Sequence, residues 1–333
     1  MLHNENILIT GGTGSFGHSF VPMTLKKYNP DRLVIYSRDE MKQWEMAKTY
    51  GSDRRVRFFV GDVRDKNRLA RALYNIDYVI HAAALKIVPV AEYNPFEFVK
   101  TNINGAMNVV EACIDKGVKR VVALSTDKAS SPVNLYGATK LASDKVFIAG
   151  NSYAGDQDTR FAVVRYGNVM GSRGSVIPFF IKQARDDNCL TITDSRMTRF
   201  MISLEQAVDL VWTAFEEMSG GEIFVKKIPS MKITDIAKAV SPDAQQVEIG
   251  IRPGEKLHEQ MIGIEDAPYT YEYDEYFKIL PAIHKWGSDP KQIKDGKKVP
   301  SDFYYSSENN PEWMSIEQLV TWIEQNREKL SMV

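Results

Sequence analysis

A chain of 333 residues is long enough for a large layered core and a second lobe. Its 44% hydrophobic and 26% charged residues are ordinary for a globular protein, and Lys+Arg 42 against Asp+Glu 43 leaves a net charge of −1. No global field recruits nucleic acid or an anionic membrane, so any bound anion must be held by a local site. The two cysteines, Cys113 and Cys189, make no disulfide framework and sit in no metal-ligand pattern, so no metal is expected. The start MLHNENILIT lacks a basic segment followed by a long apolar one, and no uncharged apolar run approaches the ~18 residues of a membrane helix. The expectation is a reduced, cytoplasmic, soluble protein.

The first half alternates short β-rich runs with helical stretches. Strands are predicted at 6–10, 32–37, 56–63, 77–84, 120–126 and 160–167, each nearly continuously apolar, as strands buried on both faces are. Helices are predicted at 96–116 and 135–149 between them. The repeated βα pattern predicts an α/β fold with a doubly wound parallel sheet. After Gly171 the rhythm breaks into a helix at 177–186, a strand at 190–193, a helix at 203–218, the run EIFVKK, a helix near 234–240, the run VEIGI and a Tyr-rich tail. With no low-complexity linker or repeat, a smaller second lobe is predicted to grow from insertions. The expected division is 1–171 with 203–228 for the sheet domain, and 172–202 with 229–333 for the lobe.

The run ILITGGTGSFG takes a strand straight into Gly11-x-x-Gly14-x-x-Gly17 and a helix. Glycines there permit a tight turn and let backbone N–H groups approach a pyrophosphate, which makes Gly11, Gly14, Ser15, Phe16 and Gly17 cofactor candidates. Strand two ends Tyr36-Ser37-Arg38-Asp39 with Lys42 one turn on. Arg38 and Lys42 suit a ribose 2′-phosphate and favour NADP; Asp39 and Glu40 weaken that case and leave NAD as the alternative. Asp62 fits an acceptor for the adenine amino group, with Val63 beside it, and 82–86, beginning at Ala82, would line the cofactor cleft. Asn102 or Asn104 would hydrogen-bond near the active-site backbone, or either is simply a polar residue on a helix face. Leu124 to Lys140, LSTDKASSPVNLYGATK, carries Tyr136 and Lys140 at i, i+4 on one helix face, preceded by Thr126-Asp127-Lys128.

Together the N-terminal glycine motif, the Tyr-x-x-x-Lys and the later RYGNV resemble the extended short-chain dehydrogenase/reductases that act on nucleotide sugars. STDKASSPVNLYGATKLASDK, RPGEKLHE (252–259) and YYSSENNPEWMS (304–315) bring the resemblance, essentially end to end, to the inverting UDP-N-acetylglucosamine 4,6-dehydratases of bacterial surface-sugar pathways. Retaining sugar dehydratases carry Thr-Asp-Glu and a long insertion before the tyrosine; Lys128 and a short loop stand here instead.

The resemblance implies a Rossmann-like sheet domain, a nucleotide-sugar lobe, UDP-N-acetylglucosamine as substrate and a homo-oligomer, with a hexamer as one form. In that reading Tyr136, as phenolate, accepts the proton of the C4 hydroxyl, and Thr126 orients the same hydroxyl. Lys140 bonds the cofactor ribose and lowers the tyrosine pKa. The C4 ketone acidifies the C5 hydrogen; a neutral Lys128 removes it and a protonated Asp127 expels the C6 hydroxyl, the reverse of their resting states in water. Burial and cationic neighbours would supply the shift at Lys128. The product would be UDP-2-acetamido-2,6-dideoxy-β-L-arabino-hex-4-ulose, a precursor of pseudaminic acid-type flagellin glycans, capsule or O-antigen. Lys86, Asn168 and Arg173 resemble contacts to the nucleotide sugar, and Arg199 and Arg252 are candidates for its diphosphate. A 4-epimerase or reductase on the same fold, needing no pair at 127–128, is the rival enzyme. A non-catalytic cofactor-sensing protein is the rival of another class.

Overall fold

The computed structural model describes residues 2–283 and 290–331. The expected lobe boundary at 333 and part of its tail therefore lie outside the described residues. The apolar runs form strands β1 (Asn6–Thr10), β2 (Arg32–Ser37), β3 (Val56–Val60) and β4 (Tyr78–His81), with helices α1 (Ser15–Lys27), α2 (Glu40–Tyr50) and α3 (Lys66–Ala72) between them. The carboxylates of Asp39 and Asp65 cap α2 and α3, each accepting a backbone N–H three residues on. The strands end two to three residues earlier than the expected 56–63, 77–84, 120–126 and 160–167. Past those points the chain leaves the sheet to build the site.

The helix expected over 96–116 is interrupted. After α4 (Val88–Tyr93), α5 (Pro95–Phe98) runs into a π-helical segment, Val99–Asn104, before α6 (Gly105–Asp115). Such wide turns recur at functional sites, and this one carries Asn102, which is buried. The sheet continues with β5 (Arg120–Leu124), α7 (Leu135–Tyr153) and β6 (Arg160–Arg165).

Beyond β6 come β7 (Asn168–Val169), α8 (Val176–Asp187), β8 (Cys189–Ile192), β9 (Thr198–Ile202) and α9 (Leu204–Glu217). Ser203 and Gln206 start α9 with reciprocal capping bonds. They are followed by β10 (Ile223–Lys226), β11 (Ser230–Lys232), α10 (Ile233–Val240), β12 (Gln245–Glu248) and β13 (Gln260–Ile262). Toward the C-terminus lie β14 (Thr270–Glu272), β15 (Tyr276–Ile279), α11 (Pro290–Ile293), β16 (Lys297–Lys298), β17 (Tyr305–Ser306) and α12 (Ile316–Gln325).

In the large sheet the order is β3-β2-β1-β4-β5-β6-β10, all parallel, followed by β15, β14 and β16 antiparallel. As expected, 203–228 returns to the sheet through β10. The Tyr-rich tail does not stay in the lobe: β15 pairs along the outer edge of β10, with Ile279 opposite Ile223, and Tyr276 packs on Phe224 at 5.6 Å between ring centroids. The open edge of β10 is covered by a strand whose Phe277 and Ile279 are buried. In the lobe the small sheets β7-β9-β11 and β8-β12 lie around a second core built from Ile177 and Phe180 of α8, Leu190, Met201, Ile236 and Leu319 of α12, whereas the β13-β17 pair gives Met261, Ile262 and Tyr305 to the core of the large sheet. Among the described residues no helix is long and apolar enough to cross a membrane. Cys113 is a buried free thiol on α6, the core residue its apolar run predicts.

Winding reverses between β1 and β4, so the crevice between their carboxyl ends is the binding position such sheets share.

Candidate active site

The cofactor end of the crevice is made by close backbone approach. Gly11 has φ +68°, and a Cβ there would stand 2.9 Å from the Ala83 backbone; a Cβ on Gly17 would lie 1.9 Å from the Gly12 carbonyl oxygen. Helix α1 begins at Gly14 with no side-chain cap and no acid in its first turn, so its leading N–H groups are left for an anion. The neighbouring Ser15 Oγ accepts the Arg173 N–H at 3.3 Å, and Phe16 stacks on Phe20. Ala82 joins the end of β1 through its N–H to the Thr10 carbonyl, 3.2 Å. These features fit a dinucleotide.

At the end of β2 the two expected cations differ. Lys42 is spent on the helix cap, 3.0 Å from Asp39, whereas the half-exposed Arg38 has only a loose pairing with Asp62 at 3.9 Å. Of the two, Arg38 keeps its guanidinium the freer. The Asp62 carboxylate accepts from the Arg64 backbone and guanidinium, and Val63 is buried under Gly105. Asn104, the other residue expected to hydrogen-bond near the active-site backbone, is exposed at the end of the π-helical segment. Asn102 takes the structural role: its Oδ1 accepts the Leu85 N–H and its Nδ2 donates to the Leu85 carbonyl, both at 2.9 Å, and to Thr139 at 3.0 Å. The π-helical segment thus clamps the 82–86 loop to α7.

Helix α7 starts at Asn134, whose side chain accepts the Gly137 N–H at 2.8 Å and donates to the Gly254 carbonyl at 2.7 Å. A Cβ on Gly137 would fall 2.2 Å from the Lys128 carbonyl oxygen. Glycine after the tyrosine therefore lets α7 press onto the turn 127–129 and brings Tyr136 beside Thr126. Tyr136 is buried against Ala91 and Phe98. Burial pushes its phenol up to about 12, against the pull of Lys128 and a hydrogen bond with Thr126. Lys128 is the strongest cation acting on Tyr136; the Lys140 ammonium donates to the Leu124 carbonyl at 2.8 Å, and burial lowers its pKa while Asp144 opposes the shift.

Asp127 is fully buried. Its Oδ1 lies 2.9 Å from the Thr126 hydroxyl, which donates, and 3.0 Å from Lys128 Nζ; its Oδ2 has no protein partner. Burial raises the Asp127 carboxyl above the ordinary range, with Glu259 adding to it and Lys128 opposing. A protonated Asp127 is what an elimination acid requires.

Lys128 departs from expectation. Its ammonium touches two carboxylates, Asp127 Oδ1 and Glu259 Oε1, each at 3.0 Å. Burial favours the neutral amine, but those two carboxylates outweigh it and hold Lys128 above the usual lysine range. The expected cationic push, from Arg199 with Lys86 and Lys256, is the weaker influence, so the balance favours the ammonium.

Glu259 was not singled out from sequence, although it ends the RPGEKLHE motif. It is buried with Oε2 unpartnered, and only chain folding brings it to Lys128. The same segment delivers Lys256, whose ammonium donates to the Ser130 carbonyl at 2.7 Å.

On the substrate side, the Lys86 ammonium donates to the Arg173 carbonyl at 3.0 Å, which puts both at one rim, while the buried Asn168 Oδ1 has no protein partner. Burial, then the Lys128 charge, lowers the Lys86 pKa. Arg199 is not free for a diphosphate: its guanidinium donates to the Thr198 and Leu257 carbonyls at 2.7 and 3.0 Å and faces Glu259 at 3.9 Å, beneath the Lys128 cluster. Arg252 is exposed in the loop leading to Lys256.

The profile described as polysaccharide biosynthesis protein matches residues 7–281. The chain belongs to this family. It is 56% identical over 326 residues to the UDP-N-acetylglucosamine 4,6-dehydratase (inverting) of Campylobacter jejuni subsp. jejuni serotype O:23/36 (strain 81-176), covering 96% of this chain and 97% of that one. It is 41% identical over 286 residues to a UDP-glucose 4-epimerase of Rickettsia felis, covering 84% of each. Among solved structures, Pen from Bacillus thuringiensis superposes with a TM-score of 0.90 at 36% identity, covering 98% of this chain and 99% of that one.

Proposed function

We propose that this family member is an inverting UDP-N-acetylglucosamine 4,6-dehydratase that uses NADP. The observation that carries the reading is the placement of an elimination pair, buried Asp127 and Lys128, beside the redox tyrosine Tyr136 in one site. An epimerase on this fold needs the tyrosine but has no work for the pair. Likeness to the Campylobacter enzyme over nearly the whole chain points the same way.

The nicotinamide, when bound, supplies the chemistry of taking hydride from C4 and returning it to C6. Tyr136 takes the C4 hydroxyl proton while Thr126 fixes that hydroxyl. Lys140, anchored on Leu124, holds the ribose side. Lys128 must first pass its proton to the ionised carboxylate beside it, Glu259; its neutral amine then removes the C5 proton, made acidic by the C4 ketone. Asp127 gives its proton to the departing C6 hydroxyl, which leaves as water. C5 regains a proton on the opposite face, which inverts that carbon, and the hydride taken from C4 is the one returned to C6, so no net redox change remains.

Lys86, Asn168 and Arg173 are assigned to the sugar nucleotide, with Arg252 the remaining candidate for the diphosphate. We assign substrate binding to 172–202 and to the part of 229–333 that stays off the large sheet. Arg38 carries the NADP preference. The cytoplasmic location and homo-oligomeric state rest on the family resemblance.

The test is incubation of the purified protein with UDP-N-acetylglucosamine and catalytic NADP. The expected outcome is a product lighter by one water with no net accumulation of reduced cofactor. Stoichiometric reduced cofactor beside a keto sugar that retains its C6 hydroxyl contradicts a dehydratase.

A further inference from the structure

Two carboxylates and one amine share the buried cluster under Tyr136. The side chains of Asp127 and Glu259 are 1% and 4% exposed, and both sit 3.0 Å from the same Lys128 Nζ. Two carboxylates held this close on one ammonium repel each other in a buried site, and a proton on one of them relieves that repulsion. Each carboxylate has one unpartnered oxygen, Asp127 Oδ2 and Glu259 Oε2. Their other partners differ. Asp127 has the neutral Thr126 hydroxyl at 2.9 Å. Glu259 has the guanidinium of Arg199 at 3.9 Å, a cation that does not titrate and is held by two carbonyls. The remaining charged and titratable groups facing the cluster are Lys256 from the same segment as Glu259, Tyr136 from α7 and Lys86 from the loop after β4. The permanent cation favours the anion at Glu259.

We propose that Glu259 is a positioning residue: as the anion paired with Lys128 and Arg199, it assigns the cluster's proton to Asp127 Oδ2, so that Asp127 enters the reaction as the acid. The inference rests on the reading of Asp127 as the elimination acid, but the protonation pattern is measurable without substrate.

Infrared difference spectra of the whole protein across a pH titration read protonated buried carboxyls directly. Glu222, buried elsewhere and accepting from Ser219 and Gly220, serves as an internal reference that no variant should alter. Wild type minus Asp127→Asn is expected to isolate a protonated-carboxyl band that persists above the ordinary carboxylate range. In Glu259→Gln that band should vanish at a pH lower by roughly one to three units, as follows from removing one neighbouring charge, and Glu259→Asp should restore most of the shift. The alkaline limb of the dehydration rate should move down by the same amount. Glu259 overturns the proposal if the band survives Asp127→Asn or disappears outright in Glu259→Gln, because the proton then sits on Glu259. An unchanged midpoint and an unmoved limb in Glu259→Gln also overturn it, leaving Glu259 structural. Failure of the wild type to convert UDP-N-acetylglucosamine would count against the functional reading, with the infrared result still deciding Glu259.

Discussion

At the scale of single residues the site separates two jobs that one mutation each can expose. Tyr136→Phe should abolish the first hydride transfer, so no reduced cofactor appears. Lys128→Ala should still oxidise C4 and show transient reduced cofactor by absorbance, while dehydration falls by more than about tenfold, as loss of an acid–base group does. Near-normal dehydration by Lys128→Ala would mean another group removes the C5 proton. Arg38→Asp tests the cofactor: NADP binding should weaken far more than NAD binding, and equal losses in titration would show that Arg38 does not meet the 2′-phosphate. The motif residues were legible because the chemistry fixes their types and spacing. Glu259 and the carbonyl anchoring of Arg199 were not, because their meaning comes from contacts between segments distant in sequence; an arginine beside a carboxylate cluster looks like a diphosphate ligand until its donors are seen on carbonyls.

At the scale of elements, the contact between α7 and the turn 127–129 sets the distance between the redox and elimination groups. Gly137 is the residue that permits it. Gly137→Ala places a methyl against the Lys128 carbonyl and should cost roughly 1–3 kcal/mol, the usual range for overpacking. Its activity should fall further than its stability does, measured by urea melts beside turnover; wild-type turnover in Gly137→Ala would show that the close approach is dispensable. The parallel strands were legible from continuous apolar runs. The π-helical break in the 96–116 region was not, since its apolar spacing still suits one α-helix. Asn102 accordingly stood level with Asn104 until the wide turn buried one and exposed the other.

At the scale of the molecule, two cores meet at the crevice, one under the large sheet and one in the lobe that carries Arg199 and the approach to Glu259. Leu319, fully buried in α12, holds the lobe core. Leu319→Ala should lower stability by about 2–5 kcal/mol, read by thermal melting, and a shift within error would mean α12 is not integral to that core. The return of 203–228 to the sheet was legible as one more strand of the first type. The antiparallel extension was not, because short Tyr-rich strands signal pairing without naming the edge they join.

If redox and elimination share one site, the cofactor is left unchanged overall and C5 exchanges its hydrogen with solvent. Turnover of UDP-N-acetylglucosamine in deuterated water, followed by proton NMR, tests it most directly. The expected product is a 4-keto-6-deoxy sugar with deuterium at C5, inverted at that carbon. A product with its C6 hydroxyl and C5 hydrogen retained and only C4 inverted would contradict it.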